Sequence, residues 1–241
     1  MGEGLSADET RRYARHLVLA GIGGAGQQKL KAARVLVVGA GGLGSPVIAY
    51  LAAAGVGTLG IIDHDQVGLS NLQRQIVHGM TDIGAGKAQS AEAFVAALNP
   101  HVRVATHGER LTPANAGRLF EDYDLVLDGT DNFPTRLAVA EAAATAGKPL
   151  VSGAVSMFDG QVTVFAPGGP QFGDLYPVAP LEEDLPSCEL VGVLGALTGV
   201  IGTLMAMEAI KVITGLGSPL AGRLLLYDGR QAAFTELRYG D

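Results

Sequence analysis

A strand, a tight glycine turn and a helix are encoded in one continuous stretch, RVLVVGAGGLG, over residues 34–44. The apolar residues 35–38 predict a buried strand, and the alanine-rich segment that follows the glycines predicts a helix. Glycine is required between them because the backbone must turn sharply and approach a phosphate closely, where a Cβ would stand in the way. The helix then directs its free N–H groups at that phosphate. The glycines concerned are Gly39, Gly41, Gly42 and Gly44.

The pattern G-x-G-x-x-G occurs by chance in a glycine-rich chain, so its context decides its meaning. A second apolar run, residues 58–62, ends in Asp63, 19 residues after Gly44. A mononucleotide-binding fold places an acidic residue there to bind the ribose hydroxyls. The spacing favours a nucleotide site. The alternative is a structural glycine turn with Asp63 as a cap at the end of the strand.

Strand and helix patterns alternate as far as residue 152, which is typical of an open parallel sheet with right-handed crossovers. Beyond Gly153, strand patterns follow one another without helices and predict antiparallel pairing. We therefore expect an α/β fold: a Rossmann-like, mainly parallel open sheet continued by antiparallel strands, with helices on both faces. The predicted antiparallel segments are residues 156–159, 160–165, 223–227 and 232–237.

Two further segments belong to what we expect to be a single domain over residues 1–241. A capping box between Ser6 and Glu9 predicts an N-terminal helical extension ahead of the first strand. Residues 166–187 hold five of the eleven prolines and four acidic residues. We predict that this segment is a long mobile loop, because loops of this length in compact domains are usually functional or disordered.

Composition and charge argue against several classes of protein. The net charge of −7 does not suit a general binder of nucleic acid or anionic membranes. One cysteine, Cys188, allows no intramolecular disulfide, and residues 1–15 are too polar for a secretory signal, so we expect a cytoplasmic protein.

Residues 190–207 carry no charge and reach the lower limit for a membrane span. Their four glycines, and Glu208 and Lys211 just beyond, favour a core helix instead.

The predicted strand ends supply the polar groups of a candidate site, because ligands of open α/β sheets bind at the carboxyl ends of the strands. Asp63 follows the second strand and Asp131 the fourth, while Arg74 and Lys87 lie on the connection after the second strand. Two cations and two carboxylates suit a triphosphate with Mg²⁺ better than a dinucleotide, since Mg²⁺ prefers carboxylate and phosphate oxygens. Asn71 and Gln73 lie on the same connection and can reach the same crevice.

These motifs occur together and in order in a known family. The chain carries GAGGLGSP, then D-x-D and SNLQRQ within residues 63–75, then Lys87, and then DGTDN at residues 128–132. Together with GVLG and MEAIK in the second half of the chain, they resemble the MoeB/ThiF/HesA family, bacterial relatives of ubiquitin-activating enzymes. The resemblance extends over residues 12–237, nearly the whole chain.

The resemblance implies a homodimeric, ThiF-type adenylation domain. Such a domain uses ATP and Mg²⁺ to adenylylate the C-terminal glycine of a small ubiquitin-like sulfur-carrier protein, MoaD- or ThiS-like and ending in Gly-Gly, and releases pyrophosphate. This is a step in sulfur transfer of the molybdopterin or thiamin type. Carried over by position, Asp131 would bind Mg²⁺, Arg74 and Lys87 would hold phosphates, and Arg15 would reach as an arginine finger into the other subunit's site. The implied nucleotide-binding residues are Gly39, Gly41, Gly42, Gly44, Asp63, Ser70, Asn71, Leu72, Gln73, Arg74, Lys87, Asp131 and Asn132.

Each of these roles has a plainer alternative. Arg74 would otherwise form a surface ion pair, and Arg15 would belong to a solvated basic face with its neighbouring arginines. Lys87 would be a surface charge at the start of a helix, and Asp131 a capping residue. The proposed chemistry needs no general base, because the attacking carboxylate is already ionised near neutral pH.

The chain departs from the family pattern in its cysteines. Many members hold a structural zinc with two C-x-x-C pairs, but the first of these positions reads QFGD here, at residues 171–174. A thiolate zinc site cannot be built with one cysteine, so we expect no zinc. Cys188 stands where members of this family commonly carry a cysteine, which in some of them takes part in thioester or persulfide chemistry. It is either that nucleophile or an inert core thiol.

Two other functions compete with adenylylation. An NAD-dependent Rossmann oxidoreductase shares the glycine turn and Asp63, but it does not explain Arg74, Lys87 and Asp131 at strand ends that reach phosphates. A non-catalytic nucleotide-binding scaffold subunit could accompany the loss of the cysteine pairs. Retention of every predicted ATP contact speaks against the scaffold.

Overall fold

A computed structural model describes residues 4–178 and 191–240 of the chain. Within these residues, eight strands form one sheet with the order β3-β2-β1-β4-β5-β6-β7-β8. The strands are β1 (Arg34–Val38), β2 (Thr58–Ile62), β3 (Arg103–His107), β4 (Leu125–Asp128), β5 (Leu150–Ser156), β6 (Asp159–Phe165), β7 (Arg223–Asp228) and β8 (Ala233–Arg238).

Helices connect the strands and precede the sheet. The helices are α1 (Ala7–Arg12), α2 (Ala14–Leu17), α3 (Gly23–Ala32), α4 (Gly44–Ala54), α5 (Lys87–Leu98), α6 (Pro113–Glu121), α7 (Phe133–Thr145), α8 (Phe172–Leu175) and α9 (Gly195–Thr214). Two 3₁₀ turns, Leu69–Asn71 and Met80–Asp82, lie on the connection between β2 and α5. The predicted N-terminal helical extension is therefore confirmed, and its capping box between Ser6 and Glu9 is formed.

The parallel half of the sheet sets the position of the site. Strand β1 pairs in parallel with both β2 and β4, so the chain builds outward from β1 in two directions. Ligands of open α/β sheets bind at such a point, outside the carboxyl ends of the central strands. The buried strand residues are mainly valine, leucine and isoleucine, as expected for strands covered on both faces.

The antiparallel continuation is confirmed, but the predicted hairpin is placed wrongly. Strand β5 continues to Ser156 and pairs antiparallel with β6, from Leu150 opposite Phe165 to Ser156 opposite Asp159. The turn therefore lies at Met157 and Phe158, where Met157 has a positive φ of 48°. The sequence placed the turn too late, between residues 159 and 160. Residues 153–156 are small and only weakly apolar, so they did not read as the continuation of the fifth strand.

Helices cover both faces of the sheet. Helices α4, α5 and α9 pack on one face, where Ile48, Leu51, Ile201 and Met205 belong to one buried cluster. Helices α6 and α7 pack on the other face, with Phe120 in a second buried cluster. Glycines on β5 and β6 admit α9, because a Cβ on Gly153 or Gly160 would collide with Met205 or Ile201. Large helix residues thus fill the space that small strand residues leave.

The long apolar segment predicted near residues 190–207 corresponds to α9, which begins at Gly195. Among the described helices it is the one long and apolar enough to cross a membrane, and 44% of its most apolar 18 residues are buried inside the structure. It packs on α4 and on β5. Near its end, Lys211 donates to Glu208 over 2.6 Å. These contacts fit the helix of a protein core.

Part of the predicted mobile loop at residues 166–187 has regular structure. Helix α8 places Phe172, which is 6% exposed, among Phe133, Phe165 and Tyr176. Aromatic packing of this kind anchors the first part of the segment. Residues 179–187 lie outside the described residues, and the mobility of that part stays a prediction.

Candidate functional site

A cavity opens at the carboxyl ends of β1, β2 and β4, where the sheet topology places a ligand site. It is lined by the glycine turn, by the first residues after β2, by the loop after β4 and by the start of α5. The predicted site residues that line it are Gly39, Gly41, Gly42, Asp63, Arg74, Lys87, Asp131 and Asn132.

The glycine turn is folded back tightly on itself. Gly39 has a φ of +92°, and a Cβ on this residue would stand 3.2 Å from the carbonyl oxygen of Gly129. A Cβ on Gly44 would collide with the carbonyl oxygen of Gly39. Helix α4 begins at Gly44, so the positive end of its dipole lies at the turn. The tight turn that the sequence predicts is thus present, and anion binding by it stays a prediction.

The side chain of Asp63 is tied to this turn. Its Oδ2 accepts a hydrogen bond of 2.8 Å from the backbone N–H of Ala40, and its Oδ1 accepts one of 2.9 Å from the N–H of Asp65. The cap at the strand end is therefore real. It does not compete with ribose binding, because each carboxylate oxygen keeps a second lone pair and the side chain lines the cavity.

Lys87 begins α5 and forms an ion pair of 2.8 Å with Asp65. It is buried, at 7% exposure, so it is not a surface charge. The hydrogen bond from Lys87 holds the pKa of Asp65 below its usual value, although partial burial opposes this effect. Sequence reasoning noted the D-x-D pattern but gave Asp65 no role.

Arg74 lines the cavity next to the glycine turn. One guanidinium nitrogen, Nη1, donates to the carbonyl oxygen of Ser70 over 3.1 Å. Its aliphatic stem lies 3.5 Å from the position of a Cβ on Gly42, and Thr198 lies 3.1 Å from that same position. Gly42 is thus enclosed by Arg74 on one side and by α9 on the other. No carboxylate among the described residues forms an ion pair with Arg74, so the surface ion pair that we considered is not observed there.

The other implied residues on this connection lie beside the cavity rather than in its wall. The Oδ1 of Asn71 accepts a hydrogen bond of 3.0 Å from the N–H of Gly68 and so caps a 3₁₀ turn. Ser70 and Gln73 are exposed, and Leu72 is half-buried. Of residues 70–75, Arg74 and Gln75 line the cavity. Nucleotide binding by Ser70, Asn71, Leu72 and Gln73 stays a prediction.

The loop after β4 holds Asp131 exposed at the cavity. The neighbouring Thr130 is fixed by Asp128, whose Oδ1 accepts hydrogen bonds from the Thr130 N–H at 3.0 Å and from its hydroxyl at 2.7 Å. Arg136 donates to the Thr130 carbonyl oxygen over 3.0 Å. Asn132 caps α7 through the N–H of Thr135. The cap is thus Asn132, which leaves the Asp131 carboxylate available to a ligand.

Asp128 is a buried acid that sequence reasoning did not single out. It is fully buried, and this burial raises the pKa of its carboxyl group. Its position within DGTDN was recognised, but the sequence alone did not show that the two aspartates of this motif have different tasks. Asp128 shapes the loop, and Asp131 faces the cavity.

The structure does not place Arg15 in this site. Arg15 lies exposed on α2 and does not line the cavity of its own chain. Its predicted role needs a second subunit and stays a prediction. Cys188 lies outside the described residues.

Three consecutive residues of the cavity wall could together bind a metal ion. The ligand atoms of Asp63, His64 and Asp65 lie within 4.8 Å of one another.

His78 forms a hydrogen bond to the backbone of the glycine turn, and the sequence analysis did not identify it as a site residue. Its Nε2 lies 2.9 Å from the carbonyl oxygen of Ala40. Because a carbonyl oxygen can only accept, Nε2 carries the proton and donates this hydrogen bond. The other ring nitrogen, Nδ1, then accepts from the hydroxyl of Ser90 over 2.8 Å. Burial lowers the pKa of His78. The ring therefore connects the turn to α5, the helix that carries Lys87.

Comparisons with known proteins place this geometry in a family. A model described as the ThiF family matches residues 13–241. The probable adenylyltransferase/sulfurtransferase MoeZ of Mycobacterium tuberculosis is 53% identical over 97% of this chain and 61% of its own length. The sulfur carrier protein adenylyltransferase of Thermus thermophilus is 50% identical over 95% of this chain and 87% of its own length. The chain thus spans about three fifths of the length of MoeZ.

Solved structures of low sequence identity share the fold. A crystal structure of PaaA superposes with a TM-score of 0.84 at 22% identity and covers 100% of this chain and 77% of its own. A crystal structure of Escherichia coli MccB with MccA-N7isoASN has a TM-score of 0.83 at 20% identity, over 98% of this chain and 73% of its own. Because the family model matches residues 13–241 and the Thermus thermophilus protein is 50% identical over most of its length, the chain belongs to the ThiF family.

Proposed function

We propose that this protein uses ATP to adenylylate the C-terminal glycine of a small ubiquitin-like sulfur-carrier protein and releases pyrophosphate. The observation that carries the proposal is the convergence of Arg74, Lys87 and Asp131 on the glycine turn in one cavity. The names of the relatives support it, because the Thermus thermophilus protein is called a sulfur carrier protein adenylyltransferase and MoeZ a probable adenylyltransferase/sulfurtransferase.

The residues present fit ATP and Mg²⁺. The glycine turn is a cradle that side chains would fill, since a Cβ on Gly42 would crowd Thr198 and Arg74. Asp63 lies where it can accept hydrogen bonds from ribose hydroxyls, and Arg74 and Lys87 lie where they can bind phosphate oxygens. Asp131 is the carboxylate that would hold Mg²⁺, which would neutralise phosphate charge when bound.

Charge and position account for the proposed reaction. An oxygen of the carrier's terminal carboxylate forms a bond to the α-phosphorus, and the bond from that phosphorus to the bridging oxygen of the pyrophosphate breaks. An anion thus approaches an anion, so Arg74 and Lys87 accelerate the step by neutralising charge as it develops. The hydrogen-bonded loop at Thr130 and the tethered Asp63 would position the bound nucleotide for this attack. No proton transfer is needed, because the carboxylate attacks in its ionised form.

The proposal also includes the carrier, the oligomeric state and the metal ions. The carrier ends in Gly-Gly and serves sulfur transfer of the molybdopterin or thiamin type. The enzyme is a cytoplasmic homodimer in which Arg15 of each subunit completes the site of the other. It uses Mg²⁺ and holds no zinc, since one cysteine cannot supply a thiolate site. An oxidoreductase is not favoured, because the relatives are named adenylyltransferases.

The test is ATP–pyrophosphate exchange with Mg²⁺, measured with and without a candidate carrier that ends in Gly-Gly. Carrier-dependent exchange is expected, because formation of the acyl-adenylate is reversible while pyrophosphate is present. A folded protein that binds ATP but supports no exchange with any carrier would favour the non-catalytic scaffold. Binding of NAD in place of ATP would overturn the proposal.

A further inference from the structure

Asp65 lines the cavity but has no part in the reaction described above. It is the second aspartate of the D-x-D pattern at residues 63–65, and its side chain is 54% exposed. Its Oδ2 accepts a hydrogen bond of 2.8 Å from Nζ of Lys87, whose side chain is 9% exposed. Among the ion pairs of the described residues, it alone joins a lysine or arginine of the cavity wall to a carboxylate of that wall.

The backbone already fixes the two residues of this pair opposite each other. The N–H of Lys87 donates to the carbonyl oxygen of Asp65 over 2.9 Å, and Gln66 forms an antiparallel bridge with Gly86. The start of α5 is thus held against the residues that follow β2 by main-chain contacts. The carboxylate of Asp65 is not needed for that, so its effect falls on the side chain of Lys87.

Hydrogen bonds connect this ion pair to the glycine turn. The N–H of Asp65 donates to Oδ1 of Asp63 over 2.9 Å, and Oδ2 of Asp63 accepts from the N–H of Ala40 over 2.8 Å. The series runs from the backbone of the turn through both aspartates to Nζ of Lys87. The ammonium group therefore has a defined position relative to the turn in the protein alone.

A lysine needs such a partner more than an arginine does. Its flexible stem loses conformational entropy when the ammonium is held in one place, and a buried ammonium without a hydrogen bond is unfavourable. Nζ of Lys87 has one hydrogen-bond partner among the described residues, Asp65. An ammonium group has three N–H donors, so two of them remain for oxygens of a phosphate.

We propose that Asp65 is a positioning residue, which holds Nζ of Lys87 in the cavity wall so that it meets the phosphates of ATP without rearrangement. This inference rests on the proposed function, because it needs Lys87 to bind phosphate. A carboxylate near a polyphosphate also repels it. Solvent screens that repulsion at the exposed side chain of Asp65, whereas its hydrogen bond to the buried ammonium is screened much less.

A double-mutant cycle tests whether Asp65 acts through Lys87. The Kd for ATP with Mg²⁺ is measured by calorimetric titration for the wild type, Asp65→Ala, Lys87→Met and the double variant. Asp65→Ala should raise the Kd by about fivefold to tenfold, and Lys87→Met by at least about tenfold. In the Lys87→Met background, Asp65→Ala should not raise the Kd further, because no ammonium is left to position.

Two more variants keep the test specific. Glu236→Ala removes a carboxylate that is paired with Arg223 at 3.0 Å on the outer strands, away from the cavity, and should bind ATP as the wild type does. Asp65→Asn keeps the shape of the side chain and removes its charge, so its Kd should lie between those of the wild type and Asp65→Ala. It also replaces Asp65→Ala in the cycle if thermal unfolding shows that the alanine variant is not folded.

The possible outcomes separate this inference from the proposed function. An unchanged or lower Kd in Asp65→Ala would overturn the inference, since the carboxylate would then be irrelevant to Lys87 or would compete with phosphate for it. The same increase in Kd with and without Lys87 would also overturn it, because Asp65 would act independently. Either result leaves carrier-dependent exchange by the wild type intact. Failure of the wild type to bind ATP would instead remove the proposed function itself.

Discussion

Asp131 is the side chain on which the proposed magnesium site depends. It is exposed at the cavity, while Asp128 holds the adjoining backbone through Thr130. Asp131→Asn is therefore expected to keep the fold, because the side chain has nearly the same shape and no packing role. Loss of an anionic Mg²⁺ ligand should lower the rate of carrier-dependent exchange by at least about 100-fold. Thermal unfolding of the variant should match that of the wild type.

A matched control uses an aspartate outside the cavity. Asp159 is exposed at the start of β6, and Asp159→Asn should leave exchange unchanged. Full activity in Asp131→Asn, at Mg²⁺ concentrations near the KM of the wild type, would remove the magnesium assignment. The other carboxylates that line the cavity, those of Asp63, Asp65 and Glu109, would then be the candidates.

His78 predicts a dependence of stability on pH. Burial lowers its pKa from the ordinary value of 6.5, so the folded protein binds this proton less readily than the unfolded chain. Above pH 6.5 both states are neutral at this residue and it contributes no pH dependence. As the pH falls below that value, the unfolded chain takes up the proton first, and the free energy of unfolding decreases until the lowered pKa is reached.

Urea unfolding at about pH 7.5 and about pH 5.5 measures this effect. The wild type should be less stable at the lower pH, and His78→Gln should lose part of that difference because glutamine does not titrate. Burial also lowers the pKa of His107, so some of the dependence should remain. An unchanged difference in His78→Gln would contradict the assignment.

At the level of elements, the junction of β1 and α4 sets the shape of the site. A Cβ on Gly44 would collide with the Gly39 carbonyl oxygen, a backbone atom that cannot move aside. Gly44→Ala should lower the free energy of unfolding by about 2–3 kcal/mol and abolish ATP binding. Urea unfolding and calorimetric titration with ATP measure the two effects. Wild-type stability in this variant would mean that the turn is looser than its geometry indicates.

Gly117 provides a matched glycine control. It lies inside α6, and a Cβ there would meet no heavy atom within 4 Å. Gly117→Ala should therefore raise the free energy of unfolding by about 0.5–1 kcal/mol, since alanine loses less conformational freedom in a helix. ATP binding should be unchanged. The free energy of unfolding should thus fall in Gly44→Ala and rise in Gly117→Ala. Opposite signs of these two changes distinguish a steric requirement of the turn from ordinary helix propensity.

How much of the structure can be predicted from the sequence depends on how far apart in the chain the interacting residues lie. Local signals predicted β1, the turn and α4, because a strand, its glycines and a helix start within one short stretch. The 19-residue spacing found Asp63 in the same way. Asp65 and His78 were missed because their roles depend on contacts formed only after α5 and the turn come together. Burial of Asp128 has the same origin, since no local pattern shows which of two aspartates faces inward.

At the level of the whole molecule, one chain brings eight of the predicted nucleotide ligands to the cavity but leaves Arg15 outside. The side chains of Val18 and Leu19, just after Arg15, are 80% and 52% exposed. Adjacent apolar side chains of this kind suit a surface that a second subunit covers. The helical extension would then carry Arg15 from one subunit toward the cavity of the other. In that arrangement, activity would be a property of the pair of subunits.

Mixing two inactive variants tests that arrangement. Arg15→Ala should lack the finger and Asp131→Asn the magnesium ligand, so each homodimer should be nearly inactive. In a heterodimer, the site of the Arg15→Ala subunit keeps its own Asp131 and receives Arg15 from its partner. Equal mixing with free exchange gives half heterodimers with one intact site each, so about a quarter of the wild-type rate is expected.

The result of mixing separates a finger supplied by the partner from one acting within its own chain. If Arg15 served its own site, every site in the mixture would lack one of the two groups and no activity would return. Subunit exchange is established independently with two labels on the two variants. Arg11→Ala, which removes an exposed arginine of the same extension paired with Asp8 at 3.2 Å, should be active alone and should need no complementation. Recovery that depends on exchange therefore identifies Arg15 as a residue of the neighbouring site, because only that geometry restores a complete set of groups.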